Sequence, residues 1–296
     1  MSASQSALAP TDGRLRERLL RYIRHAPTPL VIREMNRLLA YEQLRRSSDW
    51  PGFQRGSILD VGCGDGFWWT LQDVSGFELY GVDISAAEVN EARKGMRAEL
   101  CDVAERAPFA PKRFDQIMAN CSLEHVPDIR GALRNLRSAA ADDARFILFL
   151  PAPAWGYQGR VQRFLLAHAP RLAMMWSGAI NGFFRHWHLY EPSVWRHLLA
   201  ETGWEVLQCS GLRNDRTETL YRRFLPFSFP SLPWKALFKH YPNRLLERVP
   251  DGWLRPWLDL LAPSFVDPLV DEHDALAYEW MIVARPDPAQ PTHAQP

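Results

Sequence analysis

The sequence predicts an α/β domain built on a doubly wound, mostly parallel sheet. Three observations predict it. Short apolar runs alternate with stretches of helical periodicity along most of the chain. One run passes straight into a glycine-rich turn, Ile58-Leu59-Asp60-Val61-Gly62-Cys63-Gly64-Asp65-Gly66. The next run, Glu78-Leu79-Tyr80-Gly81-Val82-Asp83, ends in an acid 23 positions after Asp60. Strands alternating with helices need crossover connections, which give a parallel sheet covered on both faces.

Taken in order, residues 1–13 and the stretch after residue 286 are rich in Pro, Ala, Ser and Gln and are expected to be disordered. Between Arg14 and Arg46 the pattern is helical, with Leu15, Leu19 and Ile23, then Ile32, Met35, Leu38 and Leu39, on either side of Pro27 and Pro29. That stretch holds nine arginines against three glutamates. It reads either as a solvated helix face or as a basic surface for a membrane or anionic substrate. After the glycine turn, Phe67 to Val74 fits a short helix, and Ser85-Ala86-Ala87-Glu88 has the form of a capping box, with Gly95 as a stop. Further strands are expected at Phe114–Ala119, Arg145–Leu150, Glu205–Cys209 and Tyr278–Ala284. A helix carrying Leu133 and Leu136 separates the first two. Another, opened by Pro192, faced by Trp195, Leu198 and Leu199 and stopped by Gly203, precedes the third. Residues 154–185 and 213–275 break the alternation and are rich in Trp, Phe and Pro, so they are assigned to helical caps. The domain reading is thus a tail and N-terminal helices over 1–52, one domain over 53–286 with two cap insertions, and a tail over 287–296.

Composition narrows the function classes. Apolar residues at 47% and charged residues at 23% suit a soluble globular protein. A formal net charge of +1 offers no global field for nucleic acid. Four separated cysteines, with no zinc spacing, read as reduced thiols in a cytosolic protein. The N-terminus lacks a signal-peptide pattern, and no apolar stretch reaches spanning length, so a cytoplasmic location is expected, at most peripheral to a membrane.

The glycine loop points to a ligand. Glycines after a buried strand let a ligand approach backbone where side chains would collide. The spacing G-x-G-x-G followed by Phe67 departs from the dinucleotide fingerprint, and no phosphate loop is present. Asp83 ends the second strand, where a carboxylate can accept both hydroxyls of a ribose; otherwise it caps the following helix. Residues 58–85 hold Asp60, Asp65, Asp73, Glu78 and Asp83 and no Lys or Arg, a charge balance that argues against NADP and is neutral toward NAD.

The segments ILDVGCGDG, YGVDIS, ELCDV, FDQIMANCSLEHVPD and HLYEPSVWRHLLAETGWEV come in an order that resembles the class I S-adenosylmethionine-dependent methyltransferases, in their small-molecule branch (methyltransferase type 11 or type 12). The resemblance implies a Rossmann-like sheet in the order 3-2-1-4-5-7-6 with the last strand antiparallel. It implies S-adenosylmethionine as cofactor, with Gly62, Cys63, Gly64 and Gly66 along its methionine part and Asp60 steadying the loop or meeting its amino group. It further implies Asp83 and Ile84 at the ribose, Asp102 and Val103 framing the adenine, and Asn120 near the sulfonium.

In-line methyl transfer needs an acceptor held at near-attack distance and, for some acceptors, a base. Glu124-His125 follows the fourth strand, so His125 is the first candidate for a base or acceptor-orienting group. In Arg185-His186-Trp187-His188-Leu189-Tyr190, alternation would put His186, His188 and Tyr190 on one side, meeting substrate or pinning the cap. No third ligand for the two histidines is apparent, so no metal is expected. The aromatic and Met content of the caps would line an apolar acceptor pocket, touch a membrane, or form the caps' own core. The expected acceptor is a small molecule: a secondary metabolite, a sugar or a lipid-linked compound. Asn120-Cys121-Ser122-Leu123 lacks the Asn/Asp-Pro-Pro-Tyr/Phe pattern common in base methylation, so no nucleic-acid partner is expected. The competing readings are an NAD-dependent oxidoreductase, which Phe67 and the lack of a Tyr-x-x-x-Lys pair oppose, and a non-catalytic binding partner that keeps the fold.

Overall fold

The structure is a computed structural model describing residues 13–157 and 160–290. The chain divides into two compact units. One holds the described residues up to Ser47 together with Leu212–Leu269; the other holds Ser48–Gly211 and the described residues from Val270 onward.

The larger unit carries the sheet. Its strands are β1 (Gly56–Val61), β2 (Phe77–Asp83), β3 (Arg97–Leu100), β4 (Phe114–Asn120), β5 (Ala140–Pro151), β6 (Trp204–Leu212), β7 (Leu269–Val270) and β8 (Glu279–Pro286). They lie in the order β3-β2-β1-β4-β5-β8-β6-β7. The first five are parallel neighbours, and β8 runs antiparallel to β5, with Phe149 opposite Met281 and Leu150 opposite Trp280. The two-residue edge strand β7 is the one addition to the seven-strand order that the resemblance implied.

Local chemistry explains the elements. Ile117, Met118 and Ala119 of β4 and Phe146 through Leu150 of β5 are fully buried, so these strands read as continuous apolar runs. Helix α3 (Ala86–Ala92) starts where the capping box predicted, with Ser85 Oγ accepting the Glu88 N–H at 3.4 Å. Helix α4 (Ile129–Ser138) buries Leu133 and Leu136 and is capped by Asp128, which accepts the Gly131 N–H at 2.9 Å. Helix α7 (Pro192–Glu201) has Pro at its first turn, buries Trp195, Leu198 and Leu199, and gives way to Gly203 at φ +84°. The predicted helix over Phe67–Val74 is a 3-10 segment, Phe67–Leu71. Residues 154–185 form a hairpin of α5 (Arg160–His168) and α6 (Pro170–Phe184), joined by a buried bond from Gln162 Nε2 to the Ala173 carbonyl at 2.7 Å.

The tail readings for residues 1–12 and 291–296 lie outside the described residues. Residues 287–290 form a hydrogen-bonded turn, with the Asp287 N–H donating to the Gly203 carbonyl at 2.9 Å.

The smaller unit is helical: α1 (Gly13–His25), α2 (Thr28–Ser47), α8 (Asp215–Ser228), α9 (Ser231–Phe238) and α10 (Asp251–Leu261). The sequence set residues 1–52 apart and treated 213–275 as a cap on the sheet domain; here the described residues up to Ser47 and Leu212–Leu269 form one compact unit. Neither reading of the arginine-rich stretch describes α1 and α2 fully. Arg18, Arg33 and Arg37 are buried and face acids: Glu42 at 2.5 Å, Glu218 at 3.3 Å and Glu34 at 2.8 Å. Arg33 also lies over the Tyr221 ring at 4.3 Å.

Candidate active site

The glycine loop is a run of left-handed backbone. Gly62, Gly64 and Gly66 have φ of +75°, +52° and +76°, a region that side chains enter only under strain. The Gly62 and Cys63 N–H groups both donate to the Val82 carbonyl, at 2.8 and 3.0 Å, which ties the loop to the end of β2. The three glycines differ in what surrounds them. A Cβ on Gly62 would strike Ser122 Cβ at 2.4 Å, and one on Gly66 would meet Met96 Cε at 2.9 Å. A Cβ on Gly64 would meet nothing within 4 Å. The loop therefore presents bare backbone to open space at Gly64.

Asp83 is the hub of this region. Its Oδ2 accepts the Gly64 N–H at 3.0 Å and its Oδ1 the Ser85 N–H at 2.8 Å. Each oxygen retains a second lone-pair direction. Asp60 is buried and accepts the Trp69 indole N–H at 2.7 Å, which anchors the strand end below the loop. Burial, reinforced by Asp60 and Asp83, pushes the Cys63 thiol far up, so this cysteine is a neutral packing residue. Ile84 stands 77% exposed beside Asp83. Asp102 accepts the Ala104 N–H at 2.9 Å, while Val103 is buried in the core and gives its carbonyl to Asn135 at 2.9 Å. Asn120 closes β4, and Cys121 follows at φ +50°. Ser122, which the sequence reading passed over, donates from Oγ to the Val61 carbonyl at 2.5 Å and so clips the turn after β4 to the glycine loop.

That turn carries Glu124 and His125. Glu124 is 2% exposed, and its Oε1 lies 3.6 Å from His125 Nε2. The segment after α6 lies along it: the Trp187 N–H donates to the Glu124 carbonyl at 2.8 Å, and His125 Nδ1 lies 3.3 Å from the Arg185 carbonyl. His186 sits with its ring centre 5.3 Å from that of His125, stacked on Phe184 and edge-on to Trp155. Burial lowers the His125 pKa; burial and the neighbouring His125 push His186 down to about 4. Both rings are neutral at physiological pH. His188 does not join them. Its Nε2 faces the Val126 carbonyl at 2.8 Å and its Nδ1 the Tyr190 hydroxyl at 3.1 Å, so the expected grouping of His186, His188 and Tyr190 splits in two. A cavity of about 380 Å³ opens nearby in the chain fold, lined by Pro153, Glu191, Arg196, Glu272 and Trp280 among others. No residue of the glycine loop lines it.

The family model for a methyltransferase domain matches residues 22–209, well over half of the chain. This chain belongs to that methyltransferase family. S-adenosylmethionine is its methyl donor, and the loop fits that molecule: open backbone at Gly64, two acids at the strand ends, and no phosphate-binding side chain. The oxidoreductase and non-catalytic readings are set aside. Among curated proteins, the methyltransferase is 26% identical over 167 residues to O-methyltransferase resE of Aspergillus sclerotiorum, covering 53% of this chain and 58% of that protein. It is 30% identical over 99 residues to the ubiquinone biosynthesis O-methyltransferase of Bordetella parapertussis, covering 31% and 41%. Over 71 residues it is 31% identical to the 18S rRNA (guanine-N(7))-methyltransferase bud23 of Schizosaccharomyces pombe, covering 23% and 26%. The chain thus spans between a quarter and three fifths of these relatives.

Proposed function

We propose that this methyltransferase moves the methyl group of S-adenosylmethionine to a hydroxyl oxygen of an apolar small molecule. The carbon–sulfur bond breaks as the oxygen–carbon bond forms, S-adenosylhomocysteine leaves, and the hydroxyl proton passes to a nearby base or to water. Gly62, Cys63, Gly64 and Gly66 carry the methionine part along their backbone, and Asp60 steadies the loop from below. Asp83 takes the ribose hydroxyls, with Ile84 beside them; Asp102 and the Val103 backbone frame the adenine. Asn120 lies at the sulfonium, and His125, neutral and half-exposed, orients the acceptor hydroxyl. His186 walls the acceptor side, whereas His188 fixes the segment that carries it.

The observation that carries the acceptor class is the α5–α6 hairpin. Val161, Phe164, Met174, Met175, Trp176 and Phe183 are all exposed on it, with Met175 at 70%. Its far end returns through Arg185 and His186 onto the His125 turn. From residue 152 to 190 the chain has four arginines and no acid. An apolar, acid-free surface beside the methyl-transfer site suits a hydrophobic or lipid-borne acceptor at an anionic interface. Two relatives named as O-methyltransferases support oxygen as the acceptor atom. The test is turnover with a labelled methyl donor on separated lipid, polar-metabolite and RNA pools from a cell extract. Label in the lipid pool, stable to mild acid as an ether is, is expected. Label confined to the polar or RNA pool refutes the reading.

A further inference from the structure

Beside the cofactor loop, one cluster combines three side chains able to bind metal. A ligand atom from each of Glu124, His125 and His186 lies within 4.8 Å of the other two. The sequence offered His186 and His188 with no third ligand; folding turns His188 away and brings His186 to the Glu124-His125 pair instead. We propose that these three residues bind a divalent transition-metal ion of the zinc class, through the Nε2 atoms of both histidines and a carboxylate oxygen of Glu124.

The hydrogen bonds around the rings argue for it. His125 Nδ1 faces the Arg185 carbonyl at 3.3 Å, and His186 Nδ1 faces Asn181 Oδ1 at 3.3 Å. Both partners are oxygens that only accept, which favours the tautomer protonated at Nδ1. This is the arrangement in which metal-binding imidazoles are held, oriented through the nitrogen that does not touch the ion. A cation among the three would set positive charge against a carboxylate that is 2% exposed. Two imidazoles and one carboxylate match the borderline ions zinc and iron, and leave coordination positions open. Ligands on a tetrahedral ion stand roughly 3.4 Å apart, so separations of up to 4.8 Å must close by as much as about 1.4 Å. His186 lies just after α6, outside regular secondary structure.

The consequence rests on the function proposed above; the binding itself does not. An acceptor hydroxyl on an open position would release its proton to water near neutral pH, as metal-bound water does. His125 would then act through the ion, and no side chain would need to accept the proton.

The experiment uses the full chain, stripped with a chelator and titrated with Co²⁺ as a spectroscopic stand-in, then with Zn²⁺ by calorimetry. One equivalent of Co²⁺ should give ligand-field absorption that Zn²⁺ displaces. Glu124→Gln and His186→Ala should each weaken Zn²⁺ binding by at least roughly tenfold, and Asn181→Ala by about tenfold. His197→Ala, an exposed histidine of α7 paired with Glu201, should leave it unchanged. Circular dichroism and adenosylmethionine affinity confirm that each variant is folded. A folded protein that binds neither ion saturably, or whose binding ignores both Glu124→Gln and His186→Ala, overturns the site. Methylation of the separated pools reads out independently: binding without label in the lipid pool leaves the metal site standing and removes the acceptor class.

Discussion

At the scale of single residues, the glycine loop separates ligand space from protein space. Gly64 and Gly62 are both left-handed, yet only Gly64 faces open space. Gly64→Val should abolish adenosylmethionine binding with a small loss of stability, whereas Gly62→Ala should lower the melting temperature because its methyl meets Ser122. Calorimetry paired with thermal melts distinguishes the two; near-normal binding by folded Gly64→Val would contradict the placement. Asp83→Ala removes the proposed acceptor for two ribose hydroxyls and also frees the Gly64 and Ser85 N–H groups. A charged hydrogen bond is worth about 1.5–3 kcal/mol, so affinity should fall between roughly tenfold and over a hundredfold. Cysteine reactivity follows from burial. Buried apolar surroundings disfavour the thiolate, and Cys209 is raised to about 12 by burial and by Glu272. At pH 8 it should resist iodoacetamide in the native protein and react once denatured, as peptide mass analysis would show. The placement of Asp60, Asp83 and the glycines at strand ends, and of His125 in the turn after β4, was legible because each sits at a fixed offset from a strand. The clip made by Ser122 was not, since its partner Val61 lies across the fold rather than along the chain.

At the scale of elements, legibility tracked burial. β1, β2, β4 and β5 stood out because each strand in the middle of a parallel sheet carries a buried, mainly apolar run. β3 did not, because its four residues lie at the sheet edge and none is fully buried. Periodicity placed α2 but misjudged its polar face. A run of arginines usually means solvent, and here three of them are buried against acids, two in their own hairpin and one on α8. Only the tertiary partner, Glu218, distinguishes the two outcomes, and it lies far along the chain. That difference is testable. Glu218 faces both Arg33 at 3.3 Å and Arg222 at 2.7 Å. Removing one partner of a buried pair leaves the other charge uncompensated, at a cost of about 3–5 kcal/mol. Glu218→Ala should therefore destabilise the helical unit by that order in urea titration. A loss below about 1 kcal/mol would show that the arginines are solvated after all.

At the scale of the whole molecule, the net charge of +1 conceals an uneven distribution. Nine arginines in the first two helices suggested attraction to an anionic surface, but several are satisfied by acids within their own unit. The segment from 152 to 190 is the opposite case, with four arginines, no acid and a row of exposed apolar side chains. No helix among the described residues is long and apolar enough to cross a membrane. An exposed Trp and two Met on one helix add apolar burial at an interface, and the arginines add roughly 1 kcal/mol each near anionic lipid. The protein should therefore float with phosphatidylserine-containing vesicles at low salt, less so at high salt, and weakly with neutral vesicles. Trp176→Ser with Met175→Ser should reduce flotation while leaving adenosylmethionine affinity intact, because neither residue belongs to the cofactor loop. Arg18→Gln, whose arginine is paired inside the helical unit, should leave flotation unchanged. Flotation that responds to neither salt nor the hairpin substitutions would mean that this apolar face is covered by something other than lipid.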